Sequence, residues 1–65
     1  MPYTIIKTTL ETTERTHAAN DQELVDFLND MTLYHDSDYY MSDLKNFGNA
    51  AIREWRQTIS IFAHD

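Results

Sequence analysis

The fold of this chain is decided by residues 20–31, NDQELVDFLNDM, a short segment that carries the signals of an amphipathic helix. Asn20 is a good N-cap because its side-chain oxygen accepts a hydrogen bond from a free backbone N–H, and Glu23 stands three residues later as in a capping box. The apolar residues recur at the i, i+3, i+4, i+7 spacing of one helix face: Leu24, Phe27, Leu28 and Met31. We therefore expect a helix over residues 20–31 with an apolar stripe facing a core.

The residues before this helix favour extended structure. Residues 3–10, YTIIKTTL, are rich in β-branched and aromatic side chains, which pack well on a pleated surface and predict a strand. Residues 14–19, ERTHAA, would return as the second strand of a hairpin, although the connection between them lacks the Asn-Gly chemistry of a tight turn. The sequence thus predicts an N-terminal strand or β-hairpin.

The residues after the helix leave alternatives open. Residues 32–41, TLYHDSDYYM, mix aromatic and acidic side chains and predict a structured loop. A second helix is expected from Ser42, or two shorter pieces broken at Gly48, with one apolar stripe formed by Leu44, Phe47, Ala51, Ile52 and Trp55. Residues 57–63, QTISIFA, suit either a C-terminal strand or a continuation of that helix.

Taken together, these elements predict a small α+β domain over residues 1–65, with a strand or hairpin packed on two helices and an optional C-terminal strand (β-β-α-α-β). Trp55 is interpreted as a core anchor, the alternative being an exposed contact residue that stacks with an arginine. The expected core consists of Ile5 or Ile6, Leu10, Leu24, Phe27, Leu28, Met31, Leu44, Phe47, Ile52, Trp55 and Ile59.

Length and composition limit the function. With 65 residues and 42% apolar content, the chain has material for one modest core, which is too little to shape most catalytic pockets, so we expect no enzyme. Cysteine is absent, which removes disulfides and favours a reducing, cytoplasmic setting. His17, His35 and His64 lie in separate segments without metal-ligand spacing, so neither a metal nor a cofactor is expected.

The acidic residues are unevenly distributed along the chain. The net charge is −6, and the excess lies in residues 21–43, which contain seven acidic residues and neither Lys nor Arg. Glu23, Asp26 and Asp30 fall within about 60° on the helix face opposite Leu24 and span roughly 10 Å along its axis. The ordinary explanation is a hydrated helix face, and the functional one is a row of negative charge that occupies a basic groove on a partner.

The segment after the helix adds aromatic side chains to this acidic region. Tyrosine is enriched where proteins meet, since it offers a large contact area at a small entropic cost. Some of these rings are expected to close the core. The candidate partner-binding residues are therefore Glu23, Asp26, Asp30, Tyr34, Asp36, Asp38, Tyr39 and Tyr40.

The expected function is that of a small acidic protein–protein interaction module that binds and inhibits or modulates a larger macromolecular partner. In size and charge the chain resembles the small acidic inhibitors that bacteriophages and other mobile elements encode, some of which imitate DNA, although no motif carries the resemblance. One alternative is a regulatory or structural subunit that binds through the Tyr-rich loop, and another is a nucleic-acid-binding regulator that uses a basic face of Lys45, Arg53 and Arg56. The net charge disfavours direct nucleic-acid binding, no membrane association is expected, and strand pairing offers a route to a homodimer.

Overall fold

A four-stranded antiparallel sheet forms one layer of the protein, and two helices form the other. The computed structural model describes residues 1–31 and 35–64. In chain order the elements are β1 (Tyr3–Thr9), β2 (Thr13–Ala18), α1 (Asp21–Asp30), α2 (Ser37–Phe47), β3 (Asn49–Glu54) and β4 (Gln57–Ala63). The predicted α+β class is confirmed, and the order is β-β-α-α-β-β because the C-terminal part contributes two strands.

The sheet consists of two hairpins joined at their first and last strands. Its spatial order is β2-β1-β4-β3, so that β1 and β4 lie in the centre and β2 and β3 at the edges. The registers place Ile5 opposite Ile61, and Ile52 opposite Ile59. Lys7 lies on the central strand β1, where strands pair on both sides. The unpaired edges belong to β2 and β3.

The core lies between one sheet face and the helices. Alternating residues of the strands point to this face, and α1 and α2 cover it with an apolar stripe each. Leu24, Ile59 and Ile61 have no exposed surface. The buried apolar residues are Tyr3, Ile5, Ala18, Leu24, Leu28, Tyr40, Leu44, Ala50, Ile52, Ile59 and Ile61, with Phe27 and Met31 partly buried against them.

The second helix differs from its predicted position at both ends. It begins at Ser37, inside the predicted loop, because Tyr40 and Leu44 are spaced to bury one face. It ends at Phe47, because Gly48 adopts a left-handed φ of 79° and donates its N–H to the Leu44 carbonyl. The prediction that the helix extends to Trp55 is therefore wrong.

Three predicted core residues are instead at the surface. Leu10 is 89% exposed, Phe47 72% and Trp55 85%. Leu10 lies in the β1–β2 connection, Phe47 closes α2 on its outer side, and Trp55 lies in the β3–β4 turn. Their hydrophobicity suggested burial, but their positions at the ends of elements leave them outside the layer contact.

No helix of the described residues packs on the second face of the sheet, which we call the open face. By alternation and register its members are Thr4, Ile6, Thr8, Thr13, Arg15, His17, Asn49, Ala51, Arg53, Thr58, Ser60 and Phe62. Most of these side chains are hydroxyl-bearing, small or basic, Ile6 and Phe62 are apolar, and none is a carboxylate. The acidic excess of the described residues therefore lies away from this face.

Candidate protein-interaction surface

The first helix presents a row of carboxylates to solvent. The Asn20 side chain accepts a hydrogen bond from the Glu23 N–H at 2.9 Å, which fixes the start of α1 and so its rotation relative to the sheet. Leu24 and Leu28 are buried by that rotation, and Glu23, Asp26 and Asp30 are exposed on the other side. The carboxylates thus share one accessible helix face.

The beginning of α2 carries two further exposed carboxylates. Asp36 is the N-cap residue and Asp38 lies in the first turn, and both are exposed. Carboxylates at a helix N-terminus are stabilised by the helix dipole, so that these positions also suit the fold. We use the name acidic surface for Glu23, Asp26, Asp30, Asp36 and Asp38.

The predicted tyrosines have different surroundings. Tyr39 is 50% exposed and stacks on His35, with ring centroids 4.0 Å apart. Tyr40 is only 4% exposed and packs in the core, which leaves little of its ring accessible to a partner. Helical spacing explains why one ring is exposed and the other is buried, because adjacent residues on a helix point about 100° apart. Tyr34 lies outside the described residues.

One hydrogen bond ties α1 to the sheet beneath it. The buried Tyr3 hydroxyl donates to the Asp21 carboxylate at 2.5 Å. Burial of the ring, and then the adjacent carboxylate, raises the pKa of Tyr3 to about 12. This bond holds the first turn of α1, which carries Glu23, against β1.

The basic residues do not form the helix face that the sequence suggested. Lys45 lies on α2, Arg53 on β3 and Arg56 in the β3–β4 turn. Arg53 belongs to the open face, whereas α2 packs on the opposite side of the sheet. The interpretation of these three residues as one basic helical face is therefore wrong.

A further surface, which sequence reasoning missed, lies at one end of the sheet. Leu10, Trp55 and Arg56 come together there, because the β1–β2 and β3–β4 connections meet where Thr9 pairs with Gln57. The Arg56 guanidinium lies over the Trp55 ring, 5.9 Å from its centroid. We call these three residues the turn tip.

The backbone of the turn tip is strained. Arg56 has a φ of 71° and is the one non-glycine residue of the described chain with a positive φ. For a residue with a Cβ this conformation costs about 1 kcal/mol, which is why two-residue hairpin turns normally use Gly or Asn.

The sequence did contain a signal for this turn. Buried residues alternate at Ala50 and Ile52, and again at Ile59 and Ile61, which indicates two strands and thus a turn at Trp55.

Comparison with known proteins adds no assignment. Neither helix of the described residues has the length and apolar content that crossing a bilayer requires. Within the described part of the chain, no three His, Asp or Glu side chains come close enough together to hold a metal ion. No protein-family model matches this chain, and neither a curated protein nor a solved structure shows significant similarity to it.

Proposed function

We propose that this protein is a small interaction module that places its acidic surface in a basic groove of a larger macromolecular partner and thereby inhibits or modulates that partner. The partner of this proposal is a nucleic-acid-binding enzyme, and the carboxylates stand in for phosphates. We further propose that it acts in the cytoplasm, since a chain without cysteine gains nothing from an oxidising compartment.

The observation that carries the proposal is the exposed row of Glu23, Asp26 and Asp30 on α1. An α-helix is rigid, so the spacing of the charges is fixed before binding and little entropy is lost on contact. Asp36 and Asp38 add two exposed carboxylates at the start of α2. A basic groove would attract this surface over distances of about a Debye length, which speeds association.

Charge segregation also supports an oriented contact. The described residues of the open face include Arg15 and Arg53 but no carboxylate. A basic partner would therefore be repelled by one side of the molecule and attracted by the other, which favours one orientation of docking.

Affinity capture from a nuclease-treated bacterial lysate tests the proposal with two matched variants. Asp26→Lys with Asp30→Lys should release the captured partner, because it reverses the charge in the middle of the row. Glu11→Lys with Glu14→Lys changes the net charge equally on the β1–β2 hairpin and should retain the partner. Competing DNA should also displace the partner from the unmodified protein. Equal retention by both variants would overturn the proposal.

A second candidate function is a subunit that binds through Tyr39, favoured by the half-exposed ring stacked on His35. In that case Tyr39→Ala would release the partner, the Asp26 and Asp30 variant would not, and capture would survive high salt. The same capture experiment therefore separates the two functions.

A further inference from the structure

The turn tip has a composition that folding does not require. Leu10 and Trp55 expose most of their apolar surface, and Arg56 holds a strained backbone conformation. Gly and Asn would serve a two-residue turn better, and polar residues would suit the exposure. Trp and Arg are instead the residue types most enriched at the energetic centres of protein interfaces. The turn tip is therefore built as a contact element.

A groove on the helix side of the same molecule offers the complementary chemistry. It has a volume of about 630 Å³ and runs along one side of α2 towards β1 and the start of α1. Met1, Met41 and Leu44 supply apolar lining, and flexible methionines adapt to the shape of an inserted ring. Asp21 and Asp38 supply carboxylates, and Lys45 lines the groove as well. Its volume lies in the range of about 300–1,000 Å³ that is typical of ligand-binding pockets.

We propose that the turn tip of one molecule docks in this groove on a second copy of the chain. The Trp55 indole and the Leu10 side chain would contact the methionines, and the Arg56 guanidinium would pair with Asp21 or Asp38. Apolar surface and positive charge of the turn tip thus find partners in one arrangement.

The two elements cannot meet within one molecule. The turn tip adjoins Thr9 and the groove includes Tyr3, and these are the two ends of β1. At about 3.3 Å per residue, the strand separates them by roughly 20 Å. The contact therefore joins the turn tip of one copy to the groove of another, head to tail. Two copies can exchange two such contacts, or a single contact leaves one turn tip and one groove free and propagates into chains or a larger ring.

A second copy fits the turn tip better than an anionic ligand does. With a net charge of −6, the chain is repelled by nucleic acid and by acidic lipid. Copies also repel each other at long range, but at physiological salt this repulsion is screened over about 8 Å, whereas the docked contact is local. The groove shares Asp38 with the acidic surface, but neither Asp26 nor Asp30 lines it, so that the Asp26 and Asp30 variant tests the proposed function separately from this inference.

Self-association can be followed at the site itself, because Trp55 is the single tryptophan of the chain. The protein is examined by sedimentation velocity and by tryptophan emission between about 10 μM and 1 mM in 0.15 M NaCl. We expect the mean mass to rise with concentration and the emission to shift to shorter wavelength over the same range. A monomer throughout, with unshifted emission, would overturn the proposal.

Variants at each element give the decisive experiment. Trp55→Ala removes the turn tip, and Met41→Lys blocks the groove; each should stay monomeric alone. Phe47→Ala and Asn46→Lys are matched controls, because they alter exposed residues of α2 outside the groove and should still associate. Circular dichroism confirms that each variant is folded, and Ser42→Lys serves as a second groove variant if Met41→Lys is not.

Mixing the two inactive variants tests the head-to-tail arrangement. Trp55→Ala keeps its groove and Met41→Lys keeps its turn tip, so that together they should form a heterodimer that stops at two chains. Its emission comes only from Trp55 of the Met41→Lys chain and should shift to shorter wavelength on mixing. Association of Met41→Lys alone would indicate a tip-to-tip contact and overturn the proposal. A shift caused by lipid vesicles without self-association would likewise overturn it in favour of a membrane contact.

Discussion

Gly48 and Arg56 have nearly the same left-handed backbone, with φ of 79° and 71°, but they lie at opposite ends of the sheet. Around Gly48 the chain is held by hydrogen bonds: its N–H donates to the Leu44 carbonyl, and its own carbonyl accepts from Ala63. Arg56 lies instead among exposed apolar side chains. At one end of the sheet the left-handed conformation is adopted by glycine, the residue that suits folding best. At the other end it is adopted by arginine, a residue suited to contact with another molecule.

The two ends also differ in how strongly they are fixed. At the end that contains Gly48, Tyr3 bonds Asp21, Thr4 bonds His64, and the His64 N–H donates to the Pro2 carbonyl. At the other end, the Thr9 hydroxyl makes local hydrogen bonds within the β1–β2 connection. The bonds of Tyr3, Thr4 and His64 join segments that are distant in the sequence, whereas those of Thr9 join neighbours, and the turn tip beside Thr9 carries strain and exposed apolar surface.

The largest effect is expected from Tyr3→Phe, which removes the part-buried hydrogen bond to Asp21. It should lower the free energy of unfolding by about 2 kcal/mol at pH 7, because the bond has a charged acceptor. Tyr3 ionises near pH 10 in the unfolded chain and only at about 12 in the folded one, so its stabilisation is complete below pH 10 and is lost as the pH rises from 10 to 12. The difference between the two proteins should therefore shrink over that window.

Urea unfolding at pH 7, 9 and 11 measures this difference. Tyr39→Phe is the control, since its half-exposed ring is expected to change stability little at any of these values. A gap between Tyr3→Phe and the unmodified protein that stays constant up to pH 11 would contradict the prediction.

An intermediate effect is expected from Gly48→Ala. A Cβ at this position would meet no atom within 4 Å, so the cost comes from the left-handed backbone alone. We expect a loss of about 1 kcal/mol in unfolding free energy, measured by urea titration. Asn46→Ala, on the exposed side of the same helix, should be neutral or slightly stabilising. An unchanged midpoint for Gly48→Ala would show that the helix end relaxes.

The smallest effect, and one of opposite sign, is expected at Arg56. Arg56→Gly relieves the strained turn and should raise the unfolding free energy by about 0.5 kcal/mol, since relief is offset in part by a more flexible unfolded chain. Arg56→Ala is the matched control, because both variants lose the guanidinium over Trp55. The glycine variant should be about 1 kcal/mol more stable than the alanine variant. Equal stability of the glycine and alanine variants would contradict the strain at Arg56 and so the contrast with Gly48.

The sequence allowed the first half of the fold to be predicted more fully than the second. Residues 20–31 combine an N-cap residue, a capping box and a single helical periodicity of apolar residues. As a result, α1 begins and ends within one residue of the prediction. The hairpin β1–β2 also forms where expected, without Gly, because the Thr9 hydroxyl accepts hydrogen bonds from the N–H groups of Glu11 and Thr12. Local signals sufficed where they agreed.

Residues 57–63 form the C-terminal strand that was one of the two alternatives, but residues 49–55 were misassigned to a helix because two periodicities overlap there. Leu44, Phe47, Ala51, Ile52 and Trp55 fit a helical stripe, while Ala50 and Ile52 fit strand alternation. Only the pairing of β3 with β4, which the local sequence does not reveal, decides between helix and strand. The acidic surface was predictable, since it needs only α1 and the start of α2. The turn tip was not, because it depends on two connections brought together by the pairing of β1 with β4.

The open face influences how the molecule orients near other charges. Carboxylates are concentrated on the helix side, and Arg15 and Arg53 lie on the open face. Such a separation of charge contributes an electric dipole directed across the sheet. The field of a charged macromolecule exerts a torque on this dipole, so that the protein turns its helices towards positive potential before any atoms touch.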